Sequence, residues 1–143
     1  MKQRLSAFPA LLALALFMLT GSFSTASAGQ LLPFKLQILD YDAELKAVLL
    51  SGEFENPLPA PLIAWRGKLR LHDRVSGNDL VLYIEHQSRR PIFTQQWGVW
   101  NQWIDIKPTV PELQPLQHWT LQQLDTDLQL LRVLYADGSQ EGF

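Results

Sequence analysis

The 143-residue chain contains no cysteine. This absence excludes a disulfide framework, a metal site built from thiolates, and lipid attachment through a cysteine that follows a signal peptide. Because no covalent cross-link is available, the stability of the folded domain has to come from its hydrophobic core.

The chain also has no excess of basic residues. When the N-terminal Lys2 and Arg4 are set aside, 10 Lys and Arg residues remain against 14 Asp and Glu residues, which leaves a net charge of -4. Nucleic acids and anionic membrane surfaces select basic faces. We therefore expect neither a nucleic-acid partner nor stable membrane insertion of the mature protein.

No pattern of residues points to catalysis or metal binding. No serine lies in a G-x-S-x-G elbow, and a cysteine nucleophile is absent. The chain has three histidines, which are His72, His86 and His118. They are too widely spaced for the close histidine pair of a zinc site. Asp40, Asp42 and Glu44 lack the glycine pattern of a calcium loop and are typical of an exposed turn. We expect no enzyme, no metal and no cofactor.

The N-terminal segment is built like a secretory signal peptide. Lys2 and Arg4 form a basic start, residues 11 to 19 are apolar, and residues 26 to 28 read Ala-Ser-Ala. The export machinery reads these three zones in this order. The apolar run is shorter than the roughly 20 residues that span a bilayer, although an uncleaved anchor is the alternative. The sequence predicts a signal peptide over residues 1–28 and a periplasmic or secreted bacterial protein.

Residues 29–143 are predicted to form one all-β domain, because their hydrophobic pattern has a period of two. Seven strand-like segments follow one another, at residues 34–38, 46–54, 63–71, 79–85, 92–106, 119–124 and 129–135. Short strands with turn signals about every 8–12 residues are typical of an immunoglobulin-like sandwich of about seven strands. A small up-and-down barrel is the alternative.

Two local features predict how these strands connect. The three prolines of residues 57–61 break strand pairing and predict a stiff corner that carries the chain from one sheet to the other. Further on, pairing Leu69 with Leu82 sets Arg66 across from Glu85. The same register therefore pairs apolar residues on one face and opposite charges on the other. The sequence therefore predicts an antiparallel hairpin with residues 74–77 as its loop.

The face assignments follow from the same alternation. Phe34, Leu36 and Ile38 are expected on one face of the first strand. On the third strand, Ile63 and Trp65 are expected on the core side, with basic side chains on the other side. Trp65 is therefore predicted to be a central core residue.

Two stretches resemble a recurrent bacterial pattern. Residues 52–57 read Gly-Glu-Phe-Glu-Asn-Pro, and after the proline-rich corner residues 64–73 read Ala-Trp-Arg-Gly-Lys-Leu-Arg-Leu-His-Asp. They are similar to the FxLYD-type family and related immunoglobulin-like modules of exported proteins, and the resemblance covers residues 45–138. His72 stands where the name-giving pattern has tyrosine. The resemblance implies a fold and an export route, and it carries over no catalytic residues.

The segment with Trp97, Trp100 and Trp103 is the candidate binding site. In an extended strand Trp97 and Trp103 share one face and Trp100 lies on the other, unless a bulge, for which Gly98 is a candidate position, intervenes. At least one ring is then expected at the surface, where with Asn101 it suits sugar stacking or a protein hot spot. The alternative is that the rings are large side chains of the hydrophobic core, since each buries about 150–250 Å².

These features together predict an exported, non-enzymatic β-sandwich module that binds another macromolecule of the cell envelope, either a protein or a glycan. Binding is expected through a sheet edge or through the tryptophan segment. The alternative is a carbohydrate-binding module with Trp97, Trp100 or Trp103 as its platform.

Overall fold

The computed structural model describes residues 29–143, and the predicted signal peptide lies outside the described residues. The strands are β1 (Gln30–Leu32), β2 (Phe34–Asp42), β3 (Ala47–Glu55), β4 (Leu62–Asp73), β5 (Asp79–Ile92), β6 (Trp97–Asp105), β7 (Leu124–Tyr135) and β8 (Gln140–Gly142). Two 3-10 segments, Pro111–Gln117 and Leu121–Gln123, connect β6 to β7. The predicted all-β sandwich is confirmed, with eight described strands in place of about seven.

The strands form two antiparallel sheets. One sheet has the order β1-β7-β4-β5, and the other has the order β2-β3-β6. The short strands β1 and β8 share one edge of β7, where β1 pairs with Leu128–Leu130 and β8 pairs with Arg132–Leu134. The remaining edges of the two sheets are β2, β5 and β6.

The predicted proline corner is confirmed, because β3 lies in one sheet and β4 lies in the other. Asn56, which is fully buried, holds this corner in place. Its Nδ2 donates to the carbonyls of Ala60 at 3.0 Å and Ile92 at 2.9 Å, and its Oδ1 accepts from the amide of Leu58 at 2.8 Å. A buried amide with these partners leaves no donor unpaired and ties the corner to the end of β5.

The predicted hairpin register between β4 and β5 is confirmed. Leu69 pairs with Leu82, and Arg66 pairs with Glu85. On the solvent-exposed face of the hairpin, the Arg66 Nε lies 4.0 Å from the Glu85 Oε1. This ion pair is exposed, so the register depends on the apolar pairs of the inner face.

The core is built around two tryptophans that come from opposite sheets. Trp65 of β4 is 2% exposed and Trp100 of β6 is 1% exposed. The Phe54 ring meets Trp65 edge to face at 5.3 Å between centroids, and Phe34 meets Trp100 in the same way at 5.9 Å. Such pairs add a specific geometry to the burial of apolar area.

His86 belongs to the same aromatic cluster. Its ring stacks on Trp65 with 5.7 Å between centroids and lies edge to face with Phe54 at 4.9 Å. Burial lowers the pKa of His86, because the charged imidazolium loses its hydration there. The neutral imidazole therefore serves as a flat ring beside the core.

Two bulges overturn face assignments made from the sequence. The register of β4 shifts between Leu62 and Ala64, so Leu62 is buried in the core and Ile63 is only half-buried. The register of β2 shifts between Leu36 and Ile38, which turns Ile38 outward. One extra residue in a strand reverses the alternation beyond it, and a period-two pattern does not reveal where that residue lies.

The predicted strand at residues 119–124 is wrong, because residues 121–123 form a 3-10 turn and β7 begins only at Leu124. The Gln123 side chain accepts from the amide of Thr120 at 3.0 Å, which closes the turn. Leu116 and Trp119 pack into the core from this connection. These apolar residues therefore contribute to the core from a turn and not from a strand.

Asp73, at the end of β4, is a buried carboxylate that organises the β4–β5 loop. Its oxygens accept from the Ser76 hydroxyl at 2.6 Å and from the Gln123 side-chain amide at 2.8 Å. They also accept from the backbone amides of Val75 at 3.1 Å and Ser76 at 3.2 Å. These hydrogen bonds, first those from Ser76 and Gln123, lower the pKa of Asp73 from 3.8 to about 2.

We predict that Trp65→Ala lowers the free energy of unfolding by about 3–5 kcal/mol, because it empties the centre of the core. The measurement is urea unfolding followed at constant m-value. Tyr83→Ala, at an exposed aromatic of β5, is the matched control and should change stability by less than about 1 kcal/mol. An equally small loss for Trp65→Ala would contradict the core assignment.

We also predict an acid-sensitive contribution from Asp73. Because its pKa is lower in the folded state, the stabilisation is complete above pH 3.8 and is lost as the pH falls towards about 2. Asp73→Asn should lower the urea midpoint at neutral pH and flatten its decline over this acid range. Asp105→Asn, at an exposed position, should keep the decline. An unchanged decline in Asp73→Asn would show that other carboxylates cause it.

Candidate binding surface on strand β6

Strand β6 presents an aromatic and apolar row to solvent. Trp97, Val99 and Trp103 are 55%, 57% and 49% exposed, and Asn101 is exposed between them. The four side chains alternate with inward-facing residues and therefore lie on one face of the sheet. We call these four residues, Trp97, Val99, Asn101 and Trp103, the β6 face.

The predicted bulge at Gly98 is wrong. β6 pairs with β3 in unbroken register over nine residues, from Trp97 opposite Glu55 to Asp105 opposite Ala47. A Cβ atom at position 98 would lie 2.6 Å from the Phe54 Cζ and 2.6 Å from the Ile92 Cδ1. The glycine therefore permits a close approach of side chains from β3 and β5. Such a close approach, like a bulge, is a common reason for a glycine inside a strand.

Trp100 has to be removed from the candidate site, because it faces the core. Its Nε1 is buried and has no hydrogen-bond partner among the described residues. Trp97, Asn101 and Trp103 lie at the surface, and the predicted placing of Trp97 and Trp103 on one face with Trp100 on the other is confirmed. Val99 was missed, although the same alternation from Trp97 would have found it.

The residues of β3 that lie beside the β6 face differ in charge and polarity along the strand. Across the ladder, Glu55 lies beside Trp97 and Glu53 lies beside Val99. At the other end Leu49 lies beside Trp103. The surface is therefore acidic near Trp97 and more apolar near Trp103.

The backbone edge of β6 is unprotected. Within residues 29–143 it pairs with β3 alone, and no charge or proline occurs from Trp97 to Ile104. Natural edge strands usually carry charges, prolines or bulges that prevent pairing with another chain. The edge strand β2 has Lys35, Asp40 and a bulge, and β5 contains Arg89-Arg90-Pro91 and loses its register there. Among these three edges, β6 is the one suited to accept a further strand.

Asp42 and His72, two of the residues considered as metal ligands, have other partners. The Asp42 Oδ1 accepts from the amides of Glu44 at 2.9 Å and Leu45 at 3.0 Å, which closes the β2–β3 turn. The His72 Nδ1 lies 2.5 Å from the Asp79 Oδ1. Across the described part of the chain, no three His, Asp or Glu side chains converge on a metal position.

We predict opposite outcomes for neighbouring tryptophans of β6. Trp100→Ala should lower the free energy of unfolding by about 3–5 kcal/mol, whereas Trp97→Ala and Trp103→Ala should each change it by less than about 1 kcal/mol. Urea unfolding measures the three values, and iodide quenching of fluorescence should fall only when Trp97 or Trp103 is replaced. Equal losses at all three positions would contradict the assignment of the two faces.

No helix among residues 29–143 is both long and apolar enough to cross a bilayer. No protein-family model, curated protein or solved structure significantly matches the chain. The resemblance to FxLYD-type modules stays a prediction, and the interpretation of the β6 face depends on its geometry.

Proposed function

We propose that this chain is an exported, non-enzymatic module that binds a protein of the bacterial cell envelope by adding an extended segment of that protein to the free edge of β6. The observation that carries the proposal is a nine-residue edge strand without a charge, proline or bulge before its last residue. The signal-like residues 1–28 support export, and the sandwich suits the immunoglobulin-like class that the strand pattern predicts.

The backbone of β6 supplies the binding groups. In an antiparallel strand the amides and carbonyls of alternate residues point to opposite sides. β3 uses one side, so the other side of β6 can pair with an incoming strand. Main-chain hydrogen bonds of this kind give affinity to many peptide-recognition modules, while alternate side chains give specificity.

The β6 face supplies the side-chain contacts. Every second residue of an added strand would lie beside Trp97, Val99, Asn101 or Trp103 at cross-strand distance. Tryptophan is enriched among the residues that dominate binding energy. Glu55, on β3, and Asp105, at the end of β6, place negative charge at the two ends of this row, whereas Glu53 lies opposite Lys35 of β2. A partner segment with apolar residues and flanking basic residues is complementary to it.

A carbohydrate-binding module is the second candidate, since Trp97 and Trp103 are exposed on the same face. Their Cα atoms are six residues apart, or about 20 Å at the rise of an antiparallel strand. The rings are too far apart to enclose one sugar and would require an extended glycan. Asn101 is the polar side chain that β6 places between them.

The test is site-specific photo-crosslinking in cells that export the protein. A benzophenone side chain at position 99 should give an adduct of one discrete mass, because an added strand lies within reach of it. The same group at position 83, on the opposite sheet, should give no such adduct. Hydrogen exchange of the purified adduct should show new protection of β6 amides.

Substitutions on the β6 face test whether formation of the adduct depends on this surface. The double variant Trp97→Ala/Trp103→Ala should reduce the position 99 adduct at least tenfold, and Tyr83→Ala should leave it unchanged. An adduct that does not respond to the double variant contradicts recognition by the β6 face. Saturable quenching of Trp97 and Trp103 fluorescence by soluble envelope glycans, without a protein adduct, would favour the carbohydrate-binding alternative.

A further inference from the structure

Strand β6 is complementary to a second copy of itself. Two copies of one edge strand related by a twofold axis pair in antiparallel orientation, and the residue level with the axis fixes every other pair. The axis has to lie level with a residue and not between two residues, because a shift by one residue would set outward-facing side chains beside inward-facing ones. Self-pairing of β6 therefore has only a few possible registers.

The register centred on Trp100 pairs the exposed tryptophans with each other. It sets Trp97 of each copy opposite Trp103 of the other copy, so the symmetric contact forms this aromatic pair twice. Both rings are about half exposed in the single chain. Aromatic pairs directly opposite each other stabilise a sheet. Val99 and Asn101 face each other in the same register, next to the axis.

The charges of the surface favour this register over the next one. Within each copy Glu55 lies beside Trp97 in the ladder between β3 and β6. In the register centred on Trp100, the second copy adds a tryptophan on the other side of Trp97. A register centred on Asn101 would add Asp105 there, so carboxylates would flank the ring on both sides. Like charges brought close together are destabilising, which leaves Trp100 as the preferred centre.

The contact between the two copies is small. The stretch from Trp97 to Trp103 is about 20 Å long, and one sheet layer is about 10 Å thick. The paired edge therefore covers much less than the roughly 800 Å² per partner that stable complexes bury. The net charge of -4 on residues 29–143 adds repulsion between the copies. The dimer is therefore weak and exchanges with the single chain.

We propose that two copies of this chain pair their β6 strands in the register centred on Trp100 and so shield the binding edge until a partner segment replaces the second copy. This inference rests on the proposed function, because self-pairing and partner binding use the same edge of β6. An unpaired edge is a template for aggregation, and self-pairing covers it. A weak dimer suits this role, since a tight one would exclude the partner.

The test is disulfide trapping in the purified protein, whose lack of cysteine leaves an introduced thiol without competitors. Val99→Cys and Asn101→Cys are prepared separately, and one is isotopically labelled so that each disulfide species has its own mass. In the proposed register positions 99 and 101 face each other, whereas each position is diagonal to its own copy at about 7–8 Å, beyond the reach of a disulfide. Under mild oxidation the mixed disulfide should form at least tenfold faster than either variant forms its own.

Controls and competition show whether β6 pairing causes the trapping. Tyr83→Cys, at an exposed position of the other sheet, should form mixed disulfides only at the slow rate of random collision. A synthetic peptide with the sequence of residues 97–105 should slow the mixed disulfide, and a peptide with these residues in scrambled order should not. An equal rate for the Tyr83→Cys control, or no effect of the peptide, would overturn self-pairing. A faster self-disulfide of Asn101→Cys would overturn the register.

Sedimentation equilibrium of the unmodified protein gives an independent measurement. The parent should form a concentration-dependent dimer. Trp97→Ala should weaken it about tenfold, because the twofold axis removes the aromatic pair twice, and Tyr83→Ala should leave it unchanged. A parent that stays a single chain at every concentration, or equal effects of the two variants, would contradict the proposal.

The mass of the photo-adduct at position 99 separates this inference from the proposed function. An adduct with the mass of two chains, and no other adduct, supports self-pairing and contradicts an envelope partner. An adduct of another mass, without a preferred mixed disulfide in the purified protein, supports the envelope partner and overturns self-pairing. Both adducts together, with the mixed disulfide preferred, support both.

Discussion

The Trp100 ring packs edge to face with Phe34, with 5.9 Å between centroids, and is almost completely buried. This contact sets the orientation of β6, because a strand that turns one tryptophan inward must turn the residues on either side outward. Trp97, Val99 and Trp103 are exposed as a consequence. Rotating β6 to bury them would expose Trp100 and leave the centre of the core empty. Core packing therefore creates the candidate binding surface.

The sandwich protects its edges unequally. β1 and β8 cover the outer edge of β7, and bulges with charged residues interrupt β2 and β5. β6 has neither kind of protection. A cysteine-free domain that depends on strand pairing for stability has reason to protect every edge. The regular edge of β6, flanked by exposed tryptophans, is therefore the feature on which the proposed recognition of an added strand depends.

The two sheets present different chemistry to solvent. The outer face around β6 combines aromatic rings with the carboxylates Glu53 and Glu55, whereas the face around β4 carries an arginine pair over a small depression. Because they lie on opposite sides of the core, a variant of one surface should leave the other intact.

The sequence by itself determined what neighbouring residues decide: the all-β class, the proline corner, the β4–β5 register, the core position of Trp65 and the placing of Trp97 and Trp103 on one face of their strand with Trp100 on the other. In each case the alternation or turn chemistry lies within one short segment. Only the tertiary structure decided the bulges at Ile63 and Gln37, the close approach of Phe54 and Ile92 to Gly98, and the opposition of Arg66 and Arg132. These features depend on pairing between strands distant in sequence, where one extra residue moves every side chain to the other face. The sequence pattern within one strand does not determine that register.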